Sequence, residues 1–196
     1  MRVHEPLDDI LRGKGVLHVL RVFCKHSGTT FTGRDLARLG KLPVSHVQAA
    51  LRILESEGLA DRRVAGRSHL WTLCEENVLV APLRQLFAKE RGLSEDLCRE
   101  VTSGLSGLRL RTALLFGSVA RGEERGTSDI DLFVELRRAS DREEVEERLF
   151  TLGRRLRSEY GLNLAPIVVV RAEQARMSTF FIASVKRDGR DLLEAP

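Results

Sequence analysis

The sequence predicts an α+β chain. A helical N-terminal part closes in a β-hairpin, a helical connector follows, and the C-terminal part is a small mixed α/β domain. Three observations carry this. Up to about Gly58 the apolar residues recur at helical spacing, and two short strand-like runs follow. Beyond Gly107 short apolar strands alternate with helical stretches. The formal net charge of +4 is confined to the first 75 residues, with 12 Lys/Arg against 8 Asp/Glu, while the remainder is balanced at 20 and 20. The expected divisions are 1–76, 77–104 and 105–196.

Composition excludes several classes. Hydrophobic residues make up 42% of 196, enough for a core. The longest apolar runs, such as Ala165–Val170, fall far short of the about 20 residues a membrane span needs, so no membrane partner is expected. Arg2, His4 and Glu5 have no apolar stretch behind them, which argues against a secretory signal. Cys24, Cys74 and Cys98 are odd in number and lack metal-ligand spacing, so they are expected to be reduced thiols of a cytoplasmic protein.

The elements follow in order. Leu7–Lys25 is apolar at helical spacing, but Gly13 and Gly15 weaken its start, so the helix is expected from about Lys14. Thr32-Gly33-Arg34-Asp35 has the form of a capping box opening a short helix through Leu39. Ser45-His46-Val47-Gln48 reads as a second box, opening a helix to about Glu57 with Val47, Leu51 and Leu54 inward. Leu59–Val64 and Ser68–Cys74 are expected strands joined at Ala65-Gly66-Arg67. Helix, helix, turn, helix, hairpin is the order of a winged helix-turn-helix. The segment Val44–Leu59 with its Arg-bearing hairpin closely resembles the recognition helix and wing of bacterial and archaeal winged-helix transcriptional regulators.

That resemblance implies double-stranded DNA as a partner. His46, Gln48 and Arg52 lie on the polar side of the expected recognition helix, where base edges are reached. Arg62, Arg63 and Arg67 lie on the hairpin, placed for phosphate or the minor groove. A protein-interaction module with solvated arginines is the alternative reading.

Downstream, Val78–Glu90 is an expected helix with Pro82 in its first turns, Gly92 is expected to break it, and Ser94 to cap another through about Ser103. Its apolar face could also serve contact with a second copy of the chain. The expected domain boundary is at Gly104 and Gly107. Ala113–Phe116, Ile130–Glu135 and Ala165–Val170 are expected strands, Glu143–Ser158 and Glu173–Lys186 expected helices, and Asp191-Leu192-Leu193 a short terminal strand.

The chemistry concentrates in Leu114-Leu115-Phe116-Gly117-Ser118-Val119-Ala120-Arg121-Gly122 and, ten residues beyond Ser118, Asp129-Ile130-Asp131. A strand running into Gly117 permits a tight turn, and Ser118 brings a hydroxyl to a helix N-terminus, a geometry suited to phosphate oxygens. Asp129 and Asp131 leave the same face of a strand. Two carboxylates so close repel unless a cation such as Mg²⁺ lies between them. A Gly-Ser turn or an Asp-x-Asp pair alone is ordinary; their joint spacing is the signal. Arg121 is placed either to reach a phosphate or to pair with Glu123 or Glu124.

These residues resemble the minimal nucleotidyltransferases of the DNA polymerase beta-type superfamily over about residues 105–190, matched at Gly117, Ser118, Arg121, Gly122, Asp129 and Asp131. The resemblance implies a nucleoside triphosphate, ATP first, bound with Mg²⁺ or Mn²⁺. Gly117, Ser118 and Arg121 would hold nucleotide, and Asp129 and Asp131 would hold metal and act in catalysis. It also implies nucleotidyl transfer to a hydroxyl. One departure stands out: active members carry a third carboxylate on the next strand, and Asn163–Val170 has none near Ala165 or Pro166. Glu135 and Glu173 lie near strand ends but off the family pattern. A transcriptional regulator with an inactive domain used as nucleotide sensor or dimerisation unit, and an antitoxin-like module masking a protein partner, are the alternatives.

Overall fold

The computed structural model describes residues 7–11, 13–123 and 128–193. Arg2, His4, Glu5 and Glu124 lie outside them. The architecture is the mixed α+β one the sequence predicts, in two compact units, 1–93 and 94–196. Among the described residues no helix is long and apolar enough to cross a membrane.

The first unit begins with a single turn, α1 (Leu7–Ile10), and then α2 (Lys14–Lys25), which buries Val16, Val19, Leu20 and Phe23. A two-residue strand, β1 (Phe31–Thr32), leads into α3 (Gly33–Gly40). The Thr32 hydroxyl accepts from the Asp35 N–H at 3.2 Å, and the Asp35 carboxylate accepts from the Thr32 N–H at 3.1 Å, so the expected capping box forms. The next helix, α4 (Val44–Ser56), starts two residues earlier than the Ser45 reading requires. Ser45 therefore lies inside the first turn, and the Pro43 carbonyl accepts from His46 and Val47; the second capping box is not made.

The hairpin β2 (Ala60–Ala65) and β3 (Ser68–Leu73) pairs Ala60 with Leu73 and Arg62 with Trp71. The sequence reading missed β1, which joins the other side of β3 through Phe31 and Trp71. Val47, Leu51 and Leu54 of α4 close the core, as their spacing predicts. Order and pairing are those of a winged helix-turn-helix.

The expected break at Gly92 does not occur: α5 (Val80–Leu105) is continuous. A glycine inside a helix costs only about 1 kcal/mol, and Ala88, Lys89, Glu90, Arg91 and Leu93 around it are strong helix formers. There is no separate connector either. Val80, Leu83 and Phe87 join the core of the first unit, and Leu97, Cys98, Val101 and Leu105 that of the second. The division falls at Leu93/Ser94 rather than at Gly104 and Gly107.

The second unit is a sheet ordered β6-β5-β4-β7 among the described residues, made of β4 (Leu110–Phe116), β5 (Ile130–Leu136), β6 (Leu164–Val170) and β7 (Arg190–Asp191). β4 is antiparallel to β5 and β7, and β6 is parallel to β5. Alternation assigns the faces. Ile130, Leu132, Val134 and Leu136 pack with α5 and with α7 (Arg142–Tyr160), while Phe133 and Leu114 pack with Val185 of α9 (Thr179–Asp188). At Gly104 of α5 a Cβ would stand 2.8 Å from the Leu152 side chain, so the glycine sets the close approach of α5 and α7. Between β4 and β5 lies α6 (Gly117–Arg121). The single helix expected over Glu173–Lys186 is two, α8 (Arg171–Gln174) and α9, because Met177 packs into the core between them.

Thr32→Ala removes the cap of α3 and is expected to cost about 1 kcal/mol of stability in the first unit. Trp71, the only tryptophan, lies in that unit, so urea unfolding followed by its fluorescence measures this loss directly. An unchanged midpoint would show that the cap contributes nothing.

Candidate functional site

Phe116, the last residue of β4, pairs across the sheet with Asp131 of β5. The chain then turns into α6 through Gly117, whose φ is +78°. A Cβ on Gly117 would collide with the Asp131 carboxylate, lying within 2.9 Å of its Cγ. Only glycine serves here, since the backbone is left-handed and a charged group is pressed against it. This places the Gly117-Ser118 bend directly over Asp131, as the spacing predicts.

Asp129 stands exposed at the entrance to β5, two residues before Asp131 and on the same face. Burial pushes the Asp131 carboxyl above its usual range, and the charge of Asp129 pushes the same way, against a smaller opposing effect of Arg121. The two carboxylates thus sit close enough to repel. The Asn163 amide donates to Asp129 Oδ1 at 3.0 Å, and Arg157 of α7 in turn donates to Asn163 Oδ1 at 3.2 Å. Arg121 donates to Glu123 at 2.8 Å, so its guanidinium is engaged by a neighbour while still acting on Asp131.

Register decides between the two positions considered for a third acid. Ala165 pairs with Asp131, whereas Pro166 pairs with Leu132 and lies on the other face of β6. Ala165 therefore holds the place beside the carboxylate pair, and it carries no functional group. Glu135 is buried and bound to Arg111 at 3.2 Å, four strand positions or about 13 Å from Asp131. Glu173 accepts from the Val170 N–H at 3.0 Å and pairs with Arg142. Neither reaches the pair. Among the described residues no three His, Cys, Asp or Glu side chains converge as a metal site.

A second feature lies in the first unit. A cleft of about 790 Å³ runs between the start of α3, the outer side of α4 and the hairpin. Gln48, Arg52, Arg62 and Arg67 line it, together with Arg34 and His69, which the sequence reading passed over. His46 and Arg63 do not line it, although both are exposed. Arg62 and Arg63 are consecutive on β2 and so leave opposite faces. Arg62 bonds Glu55 at 3.2 Å, and its guanidinium lies 5.9 Å from the centre of the Trp71 ring.

Residues 94–191 match the family described as nucleotidyltransferase domain. The chain belongs to this family. No curated protein matches it. Among solved structures it is similar to a possible transcriptional regulator from Methanosarcina mazei Go1, at 16% identity, TM-score 0.34, over 53% of this chain and 88% of that one. It is also similar to a fragment, residues 1–100, of a possible transcriptional regulatory protein from Mycobacterium bovis, at 21% identity, TM-score 0.33, over 48% and 99%.

Nucleotidyltransferase domains in general use a nucleoside triphosphate and a divalent metal. Asp129 and Asp131 suit that metal on their own chemistry: they are hard oxygen donors, they repel each other, and phosphate and water oxygens can complete the shell. Within the nucleotidyltransferase domain, Gly117, Asp129 and Asp131 are brought together, with Ser118 in the bend. Asn163, which donates to Asp129, and Arg157, which donates to Asn163, were legible only as a polar residue before a strand and as part of a charged helix face.

The raised proton affinity of Asp131 has a sign. A carboxyl that binds protons more tightly in the folded than in the unfolded chain adds stability that is fully present below the unfolded-state value and is lost as pH rises through the higher folded-state value. At pH 7 the charge of Asp131 therefore disfavours the fold. Asp131→Asn is expected to raise the thermal midpoint of chelator-treated protein at pH 7, with the gain fading toward pH 4; a variant less stable at both pH values would contradict this.

Proposed function

We propose that the protein is a DNA-binding regulator whose nucleotidyltransferase domain binds a nucleoside triphosphate, ATP first, with Mg²⁺ or Mn²⁺ on Asp129 and Asp131. The observation that carries the reading is the mutually repelling carboxylate pair set against the Gly117-Ser118 bend. The bound metal would neutralise that repulsion and the triphosphate charge together. Gly117 lets the backbone approach, Ser118 offers a hydroxyl toward phosphate, and Asn163 fixes one oxygen of Asp129.

Nucleotide serves here chiefly as a ligand. Transfer requires a hydroxyl oxygen to attack the α-phosphorus, the α–β bridging bond to break with release of pyrophosphate, and the hydroxyl proton to leave. Ala165 offers no group to take that proton. Lacking a positioned base costs about 10²–10⁴-fold, so slow transfer with the proton passing to solvent is the second reading, favoured by the intact carboxylate pair.

DNA contact is assigned to α4 and the hairpin. Gln48 and Arg52 on α4 can face base edges, and Arg34, Arg67 and His69 surround them with positive or polar groups. Arg63, on the far face of β2, and His46 serve at the margin. Arg62, held by Glu55 and Trp71, braces the wing and makes the weaker phosphate contact of the three hairpin arginines.

Calorimetry with Mg-ATP is expected to show binding that Asp129→Ala and Asp131→Ala each abolish. In parallel, incubation with α-labelled triphosphate and Mn²⁺ should give at most slow labelling, raised about 10²-fold or more by Ala165→Asp. No metal-dependent binding would end the nucleotide reading, and fast Asp129-dependent labelling by the native protein would reverse the order of the two readings. For DNA, affinity should fall steeply between about 50 and 200 mM salt. Arg52→Ala and Arg67→Ala should weaken it more than Arg62→Ala; binding indifferent to Arg52 and Arg67 would remove DNA from this cleft.

A further inference from the structure

We propose that the chain forms a two-fold symmetric dimer through the outer face of α7, each copy pairing antiparallel with the α7 of the other. The proposal does not rest on the nucleotide or DNA reading; of the residues it uses, Arg157 also donates to Asn163 and Glu146 pairs with Arg142. Its basis is a helix whose inward side is complete and whose outward side is patterned. Val145, Leu149, Leu152 and Leu156 of α7 are buried against the sheet. On the exposed flank of the helix toward β6 stands Phe150, 69% exposed, a large aromatic ring with no place in the core.

The charges around Phe150 have a symmetry of their own. Four residues before it is Glu146 and seven before it is Glu143; four after it is Arg154 and seven after it is Arg157. All four are exposed. These spacings keep them on one stripe of the helix with Phe150. Antiparallel pairing about an axis through Phe150 sets Glu146 opposite Arg154 and Glu143 opposite Arg157, and symmetry repeats both pairs. Parallel pairing sets like charges together. The stripe is thus complementary to itself in one orientation only, which is what an isologous interface requires.

A groove supplies the room. Beside α7 runs an open cavity of about 750 Å³ floored by Leu164, Pro166 and Val168 of β6, the edge strand of its sheet. Phe150 and the groove lie side by side, so each copy offers both a projecting ring and a receiving apolar surface. Strand-to-strand extension across this edge is disfavoured. Pro166 has no N–H, the Val168 carbonyl accepts from Arg142 at 3.1 Å, and the Val170 N–H donates to Glu173 at 3.0 Å. What remains for a partner is side-chain packing, and the charge stripe selects a second copy of this chain.

The test is sedimentation of the full chain with paired charge reversals. The native protein is expected to dimerise reversibly, more weakly at high salt. Phe150→Glu should raise the dissociation constant by at least about tenfold. The double variants E143R/E146R and R154E/R157E, one stripe all basic and the other all acidic, should each stay monomeric up to about 100 µM while retaining native circular dichroism. Mixed in equal amounts they should form a heterodimer, which misfolded variants cannot do. A monomeric native chain, a native dimer indifferent to these substitutions, or a mixture that stays monomeric overturns the proposal; α7 occupied by a different protein falls under the first of these.

Discussion

Two like charges fixed on one strand end, under a backbone bend that only glycine can make, set the terms for the whole second unit. Asp131 has Gly117 against its carboxylate and Phe116 as its partner in the sheet. Asp129 accepts a hydrogen bond from Asn163. The strand carrying both sits between β4 and β6 with apolar layers on either side. The fold therefore keeps a repulsion that a relaxed surface would dissipate. Such strain in electrostatics is the usual mark of a place built for a cation or a charged ligand.

In the proposed reading the same sheet separates binding from turnover. Holding a metal and a triphosphate needs oxygen donors and a close backbone, and both are present. Moving a proton from an attacking hydroxyl needs a base within hydrogen-bond reach, and the place that register offers for one is Ala165. Two other acids near strand ends are committed elsewhere, Glu135 to Arg111 and Glu173 to Arg142 and the Val170 N–H. On the proposed reading, a site that binds more readily than it reacts is well matched to sensing, where a ligand that persists is more useful than one consumed.

How much of this was legible in the sequence depended on the range of the interaction. Most local patterns read correctly: the Thr32–Asp35 box, the inward stripe of α4 and the hairpin rest on neighbours within a turn or a strand, although the Ser45 box does not form. Features set by distant partners did not. β1 is two residues long and is a strand only because Trp71 of β3 lies beside it. Gly92 looked like a stop because local propensity ignores the two cores that hold the flanking turns of α5. Whether Ala165 or Pro166 faces the carboxylates is a question of register, invisible without the β5–β6 pairing. Arg34 and His69 are far apart in sequence and meet only across the cleft.

The hairpin arginines show how alternation turns a simple basic cluster into three different residues. Arg62 faces the cleft, but its charge is shared with Glu55, and its plane lies over Trp71, which is buried in the core of the first unit. Moving it onto a phosphate would break an ion pair and give up a cation–π contact, so its net gain from an anionic partner is small. Arg63 leaves the opposite face of the same strand, and Arg67 stands at the tip, where the two strands turn. A count of positive residues would weight all three alike. The geometry instead makes Arg62 part of the hairpin's support, and in the proposed reading recognition falls to Arg67 with Gln48 and Arg52 of α4, which line the same cleft.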